Sequence, residues 1–170
     1  VDEIQASLPH LLVVDNGWKV TASHNAATAP NALTIQPWST GERQAAGMWL
    51  QVELPRAVRL TEIEFESAPT DDPATAGRGA APANVLGAPP RTGGGPTGPL
   101  GYPRAYQVQV STDGSKWSAP VARGEGTGGD TVIAFSPVNA KFVRITQTGR
   151  AADAPPWNVQ RLRLYEAAAR

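Results

Sequence analysis

The chain has no cysteine. A disulfide framework and a thiolate metal site are both excluded, and the redox compartment stays open. It has two histidines, His10 and His24, and neither stands in a His-Glu-x-x-His arrangement. Charge of neither sign is in excess: 15 basic residues balance 15 acidic ones over 170 positions, for a net charge of zero. Nucleic-acid affinity rests on phosphate neutralisation by a basic face, so no nucleic-acid partner is expected, and no polybasic membrane segment either. No apolar run approaches the roughly 20 residues that span a bilayer. There is no Gly-x-Ser-x-Gly elbow, and the Gly-rich stretches at 91–98 and 124–130 lack the Gly-Lys-Ser/Thr of a phosphate loop. The carboxylate groupings, Asp71-Asp72 and the Glu62/Glu64/Glu66 ladder, fall in a Gly/Pro-rich loop and on a solvated strand, a poor setting for glycoside cleavage. The expectation is a protein that is not an enzyme. The chain begins at Val1 with no basic-then-apolar leader before it, and reads as a mature or excised segment.

What is abundant is glycine and proline, at 17 and 16, a composition that suits strands and loops rather than helices. Trp18–Ser23 alternates as a strand does, and 29–36 reads as a helical turn. Met48, Leu50, Val52 and Leu54 share one strand face by the period of two. Pro55-Arg56-Ala57 reads as a turn. Within 58–67, Val58 and Leu60 are in one phase and Ile63 and Phe65 in the other, which predicts a β-bulge. Glu62, Glu64 and Glu66 then form a solvated face. Further strands are predicted at 106–111, 131–135, 140–146 and 159–166, with a tight turn at Thr112-Asp113-Gly114-Ser115. About eight strands punctuated by turn residues give an all-β fold, a sandwich or jelly roll. Residues 1–16 read as an N-terminal extension or linker, although Leu11–Val14 is apolar enough for a first strand. Residues 17–170 read as one domain, interrupted at 68–102 by an insertion in which 15 of 35 residues are Gly or Pro.

The landmarks from Trp18 onward resemble the discoidin, or coagulation factor V/VIII C-type, superfamily, including its carbohydrate-binding-module branch. They are Trp18-Lys19-Val20-Thr21-Ala22-Ser23, Trp38-Ser39-Thr40-Gly41, Gly47 to Leu54, Tyr106 to Trp117, Lys141 to Ile145, and Leu162 to Tyr165. Their order and spacing cover nearly the whole chain. The resemblance implies an eight-stranded antiparallel jelly-roll β-sandwich, galactose-binding-like, that binds ligands with loops at one end. It implies structural roles for Trp18, Trp38, Trp49 and Trp117, and gives Trp157 the best prospect of an exposed edge.

The family's ligand loops map onto 24–26, 40–44 and the loop closing at Tyr102-Pro103-Arg104, with 149–158 bordering them. A sugar site needs a planar apolar face and a few placed donors and acceptors. His24, Asn25, Arg43, Gln44, Tyr102, Arg104, Arg150 and Trp157 supply those types and are the candidate ligand-binding residues. No cofactor is expected. The family's calcium turn is represented by Asn31 to Pro37 without an acidic residue, and Arg161 stands where an acid is expected, so calcium is possible only against the lost motif. Arg161 is expected to satisfy nearby carbonyls instead. By resemblance, the function is a non-catalytic carbohydrate-binding module of a larger secreted bacterial protein, at the cell surface or in the periplasm. It would be monomeric, with a glycan or polysaccharide and the parent protein's other domains as partners. The alternative is a structural or protein–protein interaction domain that has lost the sugar site. Phospholipid binding ranks third, because the first two loops carry no large apolar residue.

Overall fold

The computed structural model describes residues 8–69, 100–149 and 154–168. Among them are eight strands: β1 His10–Leu11, β2 Lys19–Ala22, β3 Trp38–Arg43, β4 Trp49–Ser67, β5 Tyr106–Ser111, β6 Ala122–Gly124, β7 Gly129–Gln147 and β8 Pro156–Glu166. A 3₁₀ helix, Ala26–Leu33, joins β2 to β3 where a helical turn was expected. All pairings are antiparallel. This is the jelly-roll sandwich that the strand pattern and the resemblance predicted.

Two strands of 19 residues, β4 and β7, organise the molecule. Their first contact zone joins Trp49–Glu53 to Phe142–Thr146, flanked by β2 on one side and β5 with β6 on the other. Their second zone joins Leu60–Ser67 to Gly129–Val138, and there β4 also pairs with β8. β8 in turn carries β1 and β3 on its far edge. Both sheet faces that meet are apolar: Leu50, Val52, Val108, Val143 and Ile145 from one zone, Ile63, Phe65, Ile133, Leu162 and Leu164 from the other, all buried.

The predicted bulge lies where the phase slip put it, with the register shifting between Leu60 and Glu62 against both neighbours of β4. The extra residue turns Leu60 and Ile63 onto the same buried side. The turn expected at Pro55-Arg56-Ala57 is instead part of continuous β4. Pro55 has no N–H for the ladder, so the pairing steps from Glu53–Phe142 to Val58–Ala140 while the chain stays extended. The strands expected separately at 131–135 and 140–146 merge into β7 for the same reason: both long strands bend together rather than break. Residues 10–11 pair with β8, and Leu12 N–H donates to the Leu164 carbonyl at 2.9 Å, so that part of the N-terminal segment joins the sheet.

The Glu62/Glu64/Glu66 ladder faces β8 rather than open water. Glu64 meets Arg163 at 3.4 Å and accepts from the Tyr165 hydroxyl, while Glu66 meets Arg161 at 3.6 Å and accepts from Gln160. Burial, and then the neighbouring Glu64 carboxylate, push the Glu62 carboxyl above its ordinary range.

The predicted turn after β5 is built by Asp113. Its carboxylate accepts the N–H groups of Lys116 (2.8 Å) and Ser115 (2.9 Å) and the Ser111 hydroxyl. Gly114 follows at φ 81°, and a Cβ there would lie 2.9 Å from the Phe142 ring, so glycine is required on both counts. The two backbone donors, Lys116 first, hold the Asp113 carboxyl down at about 2 from an ordinary 3.8. A depressed folded-state pKa stabilises fully above the unfolded value and ceases to do so as pH falls through the folded one. Asp113→Asn is therefore expected to melt below wild type at neutral pH. That gap should close between pH 3.8 and about 2 in a series of thermal melts; a constant gap across the series would refute the assignment.

Candidate functional site

The candidate residues gather along β3 and the loop that follows it. His24, just after β2, is held from three directions. Its backbone carbonyl accepts the Trp38 indole N–H at 2.9 Å. Its ring Nδ1 lies 2.9 Å from the Ser23 hydroxyl, and its Nε2 lies 3.6 Å from Glu42. Ser23 is itself placed by β4, since its hydroxyl accepts the Trp49 N–H at 3.0 Å. The His24 ring is thus pre-oriented on a rigid sheet edge with about a third of its side chain in solvent. Asn25 sits at φ 51°, a left-handed conformation that asparagine tolerates, and its amide donates to the Ser39 carbonyl at 2.8 Å. That bond ties the loop to β3, and Asn25 remains exposed.

Arg43 ends β3, opposite Pro156 of β8, and is exposed. The adjacent Gln44 was expected to face a ligand, and the structure corrects this. Gln44 is buried, with both ends of its amide committed: Nε2 donates to the Tyr102 carbonyl at 2.7 Å, and Oε1 accepts the Arg104 N–H at 3.0 Å. It brackets the loop that carries Tyr102. Arg104 is likewise turned inward. Its guanidinium donates to the Leu100 and Tyr102 carbonyls and stacks 3.7 Å from the centre of the Tyr102 ring. One face of Tyr102 is therefore covered, and the ring is half-buried.

Trp157 is the second correction. Instead of presenting an edge it is wholly buried, crossing Trp38 edge-to-face with ring centres 5.2 Å apart. The reason is topological: β8 lies between β3 and β4, so Trp157, Asn158 and Val159 are all covered. Arg150 lies outside the described residues.

Sequence reading missed three contributors. Glu42 pairs with His24, Ser23 orients it, and Asn158 ties down both roots of the 68–102 insertion. Asn158 donates its N–H to the Gly101 carbonyl, and its side chain both accepts from Ala68 N and donates to Ala68 O. The Asn158 carbonyl also accepts the Ser67 hydroxyl at 3.0 Å. No local motif marks such a residue; its partners stand about 90 positions earlier and 57 positions earlier in the chain.

The Asn31–Gln36 turn does not fit a hard cation. The Asn31 carbonyl accepts from Thr34, and the Thr34 carbonyl accepts the Arg161 N–H at 2.8 Å. No group of three or more His, Asp or Glu able to hold a metal ion occurs among the described residues, and the turn itself, Asn31 to Gln36, carries no acidic residue. Arg161 does satisfy a carbonyl, though through its backbone amide. It occupies the extra position of a bulge in β8 at φ 50°, while its side chain pairs with Glu66.

Residues 91–161 match the family model described as the F5/8 type C domain. No curated protein matches the chain. Among solved structures, the chain is similar to a family 32 carbohydrate-binding module from Clostridium perfringens in complex with galactose. That likeness has 16% identity, a TM-score of 0.65, and coverage of 94% of this chain and 100% of the other. It is also similar to a chitosan-binding module of a Paenibacillus chitosanase/glucanase (19% identity, TM-score 0.62, 93% and 99% covered). A third is an F5/8 type C domain from Bacteroides fragilis (17%, 0.60, 95% and 98%). The fold of this chain is the one these domains share, which is what the sequence landmarks implied.

Proposed function

We propose that this chain is a non-catalytic carbohydrate-binding module of a larger secreted bacterial protein, which it anchors to glycan or polysaccharide. The observation that supports this most directly is His24, whose backbone and both ring nitrogens are engaged, with Asn25 next to it in the chain and its partner Glu42 next to Arg43. A weak sugar site gains most from donors that need no reordering, because each ordered side chain otherwise costs about 0.5–1.5 kcal/mol. Asn25, Arg43 and the open part of Tyr102 complete a site with one ring, one amide and one cation. No group of three or more His, Asp or Glu side chains able to hold a metal ion occurs among the described residues. No described helix is long and apolar enough to cross a membrane.

The alternative, a structural or protein-interaction domain, draws on one observation. Arg104 covers Tyr102 and Trp157 is buried, so no described aromatic at this end offers a fully open ring face. A polysaccharide-retention and glycan-array screen separates the two. Binding at about 1 mM or tighter is expected for short sugars, with retention on neutral glycans abolished by His24→Ala or Arg43→Ala and weakened by Tyr102→Ala. Silence across neutral plant, algal and bacterial glycans from a folded sample would favour the alternative.

A further inference from the structure

The outer face of the first sheet zone has a character unlike the solvated surface around it. The outward side chains of five neighbouring strands fall in register there: Lys19 and Thr21 on β2, Trp49, Gln51 and Glu53 on β4, Phe142, Arg144 and Thr146 on β7, Gln107 and Gln109 on β5, and Arg123 on β6. At its centre the Arg144 guanidinium lies between two indoles, 4.7 Å from Trp49 and 4.3 Å from Trp117. The Asp113 turn delivers Trp117 to this position. Arg144 Nε and Nη2 both donate to Gln51 Oε1, at 3.1 and 2.8 Å.

The charges on this face do not balance. No carboxylate of the described residues lies within ion-pair distance of Arg144, and Nη1 has no protein partner among them. Burial lowers the affinity of this guanidinium for its proton, the mark of a cation partly stripped of water. Glu53 is the one carboxylate among the outward strand residues, and two lysines share it, Lys141 at 3.8 Å and Lys19 at 4.0 Å. Arg123 adds a fourth cation on the β6 side, exposed and in register with Gln107. Between the cations the face consists largely of half-buried indoles, amides and hydroxyls.

We propose that this face is a second binding platform, distinct from the loop end, for an acidic polysaccharide whose carboxylates or sulfates pair with Arg144 and Arg123. Flat indole surface suits the C–H faces of sugar rings, and the amides of Gln51, Gln107 and Gln109 suit their hydroxyls. Planar guanidinium groups match carboxylate and sulfate geometry. An acidic peptide would supply the charge but not the ring C–H faces and hydroxyls that the indoles and amides suit. The assignment does not rest on the sugar reading of the His24 site.

Affinity electrophoresis of the whole chain through polygalacturonate, with neutral dextran as control, tests it. Retention by polygalacturonate alone is expected, weakening as salt rises. Arg144→Gln should reduce it by at least about tenfold, since truncating a desolvated charge partner carries losses of that size. Arg123→Ala, an exposed change that leaves the fold intact, should reduce it about two- to fivefold. His24→Ala should leave it unchanged, and galactose should not compete. Absence of retention, loss of retention in His24→Ala, or insensitivity to both arginine changes would each overturn the platform. Equal competition by poly-glutamate would overturn its assignment to glycan.

Discussion

Trp157→Ala is expected to cost about 3–5 kcal/mol of folding stability, the largest effect of any single substitution at the site or its supports. Trp157 is fully buried and closes against Trp38, whose own indole N–H holds the His24 carbonyl. Truncation leaves a cavity in the middle of the β3–β8 contact, which no neighbouring strand can fill without losing its ladder. Trp157 also carries a tension of its own, because its Nε1–H is buried without a hydrogen-bond partner. An orphaned buried donor costs about 1–3 kcal/mol. Trp157→Phe removes both the orphan and part of the volume, so its net cost should be well under half that of alanine. Urea unfolding checks this: the midpoint should fall strongly for alanine and slightly for phenylalanine, with the slope unchanged. A phenylalanine variant as unstable as alanine would mean that the indole N–H has a partner.

The second large effect is expected at Asn158. Asn158→Ala strands the N–H and the carbonyl of Ala68 together, at a root of the insertion that is already partly buried. Two groups left unpaired should cost about 2–4 kcal/mol, reduced if water reaches them. Gln44→Ala acts on the other root by stranding the Arg104 N–H, while the Tyr102 carbonyl keeps the Arg104 guanidinium as donor. It should be milder, about 1–3 kcal/mol. The two differ in a second readout. Gln44→Ala should weaken glycan retention with Tyr102 held by one bond fewer, although Gln44 itself is buried away from any ligand. Gln44→Glu can still accept from Arg104 but cannot donate to Tyr102, and should fall between. Amide hydrogen exchange at Ala68, Gly101 and Arg104 reports the loosening directly. Unchanged exchange in both variants would show that the roots are held by other bonds.

Much of this molecule was legible along the chain. Alternation placed the buried faces of β4 and β5, and the phase slip between Leu60 and Ile63 located a bulge before any pairing was known. Asp113-Gly114 announced its turn because a carboxylate and a residue without Cβ are what that geometry needs locally. His24, Asn25 and Arg43 were picked out through the family resemblance, which mapped ligand loops onto 24–26 and 40–44, and all three keep surface in solvent.

Three features were not legible. Gln44 and Asn158 look like ordinary loop and strand-end polars, yet each spends its amide on backbone from far away in the chain. Trp157 beside two prolines looks like an exposed edge until β3 and β4 close on either side of it. The outward Trp49–Arg144–Trp117 stack arises from three segments with no sequence relation. Local backbone preference and periodicity act over a few residues, so the chain by itself determined strand faces, turns and the class of fold. Which polar groups were consumed as brackets, and which were left facing water, was decided only when distant strands met. At that point every buried donor had to find an acceptor or go without.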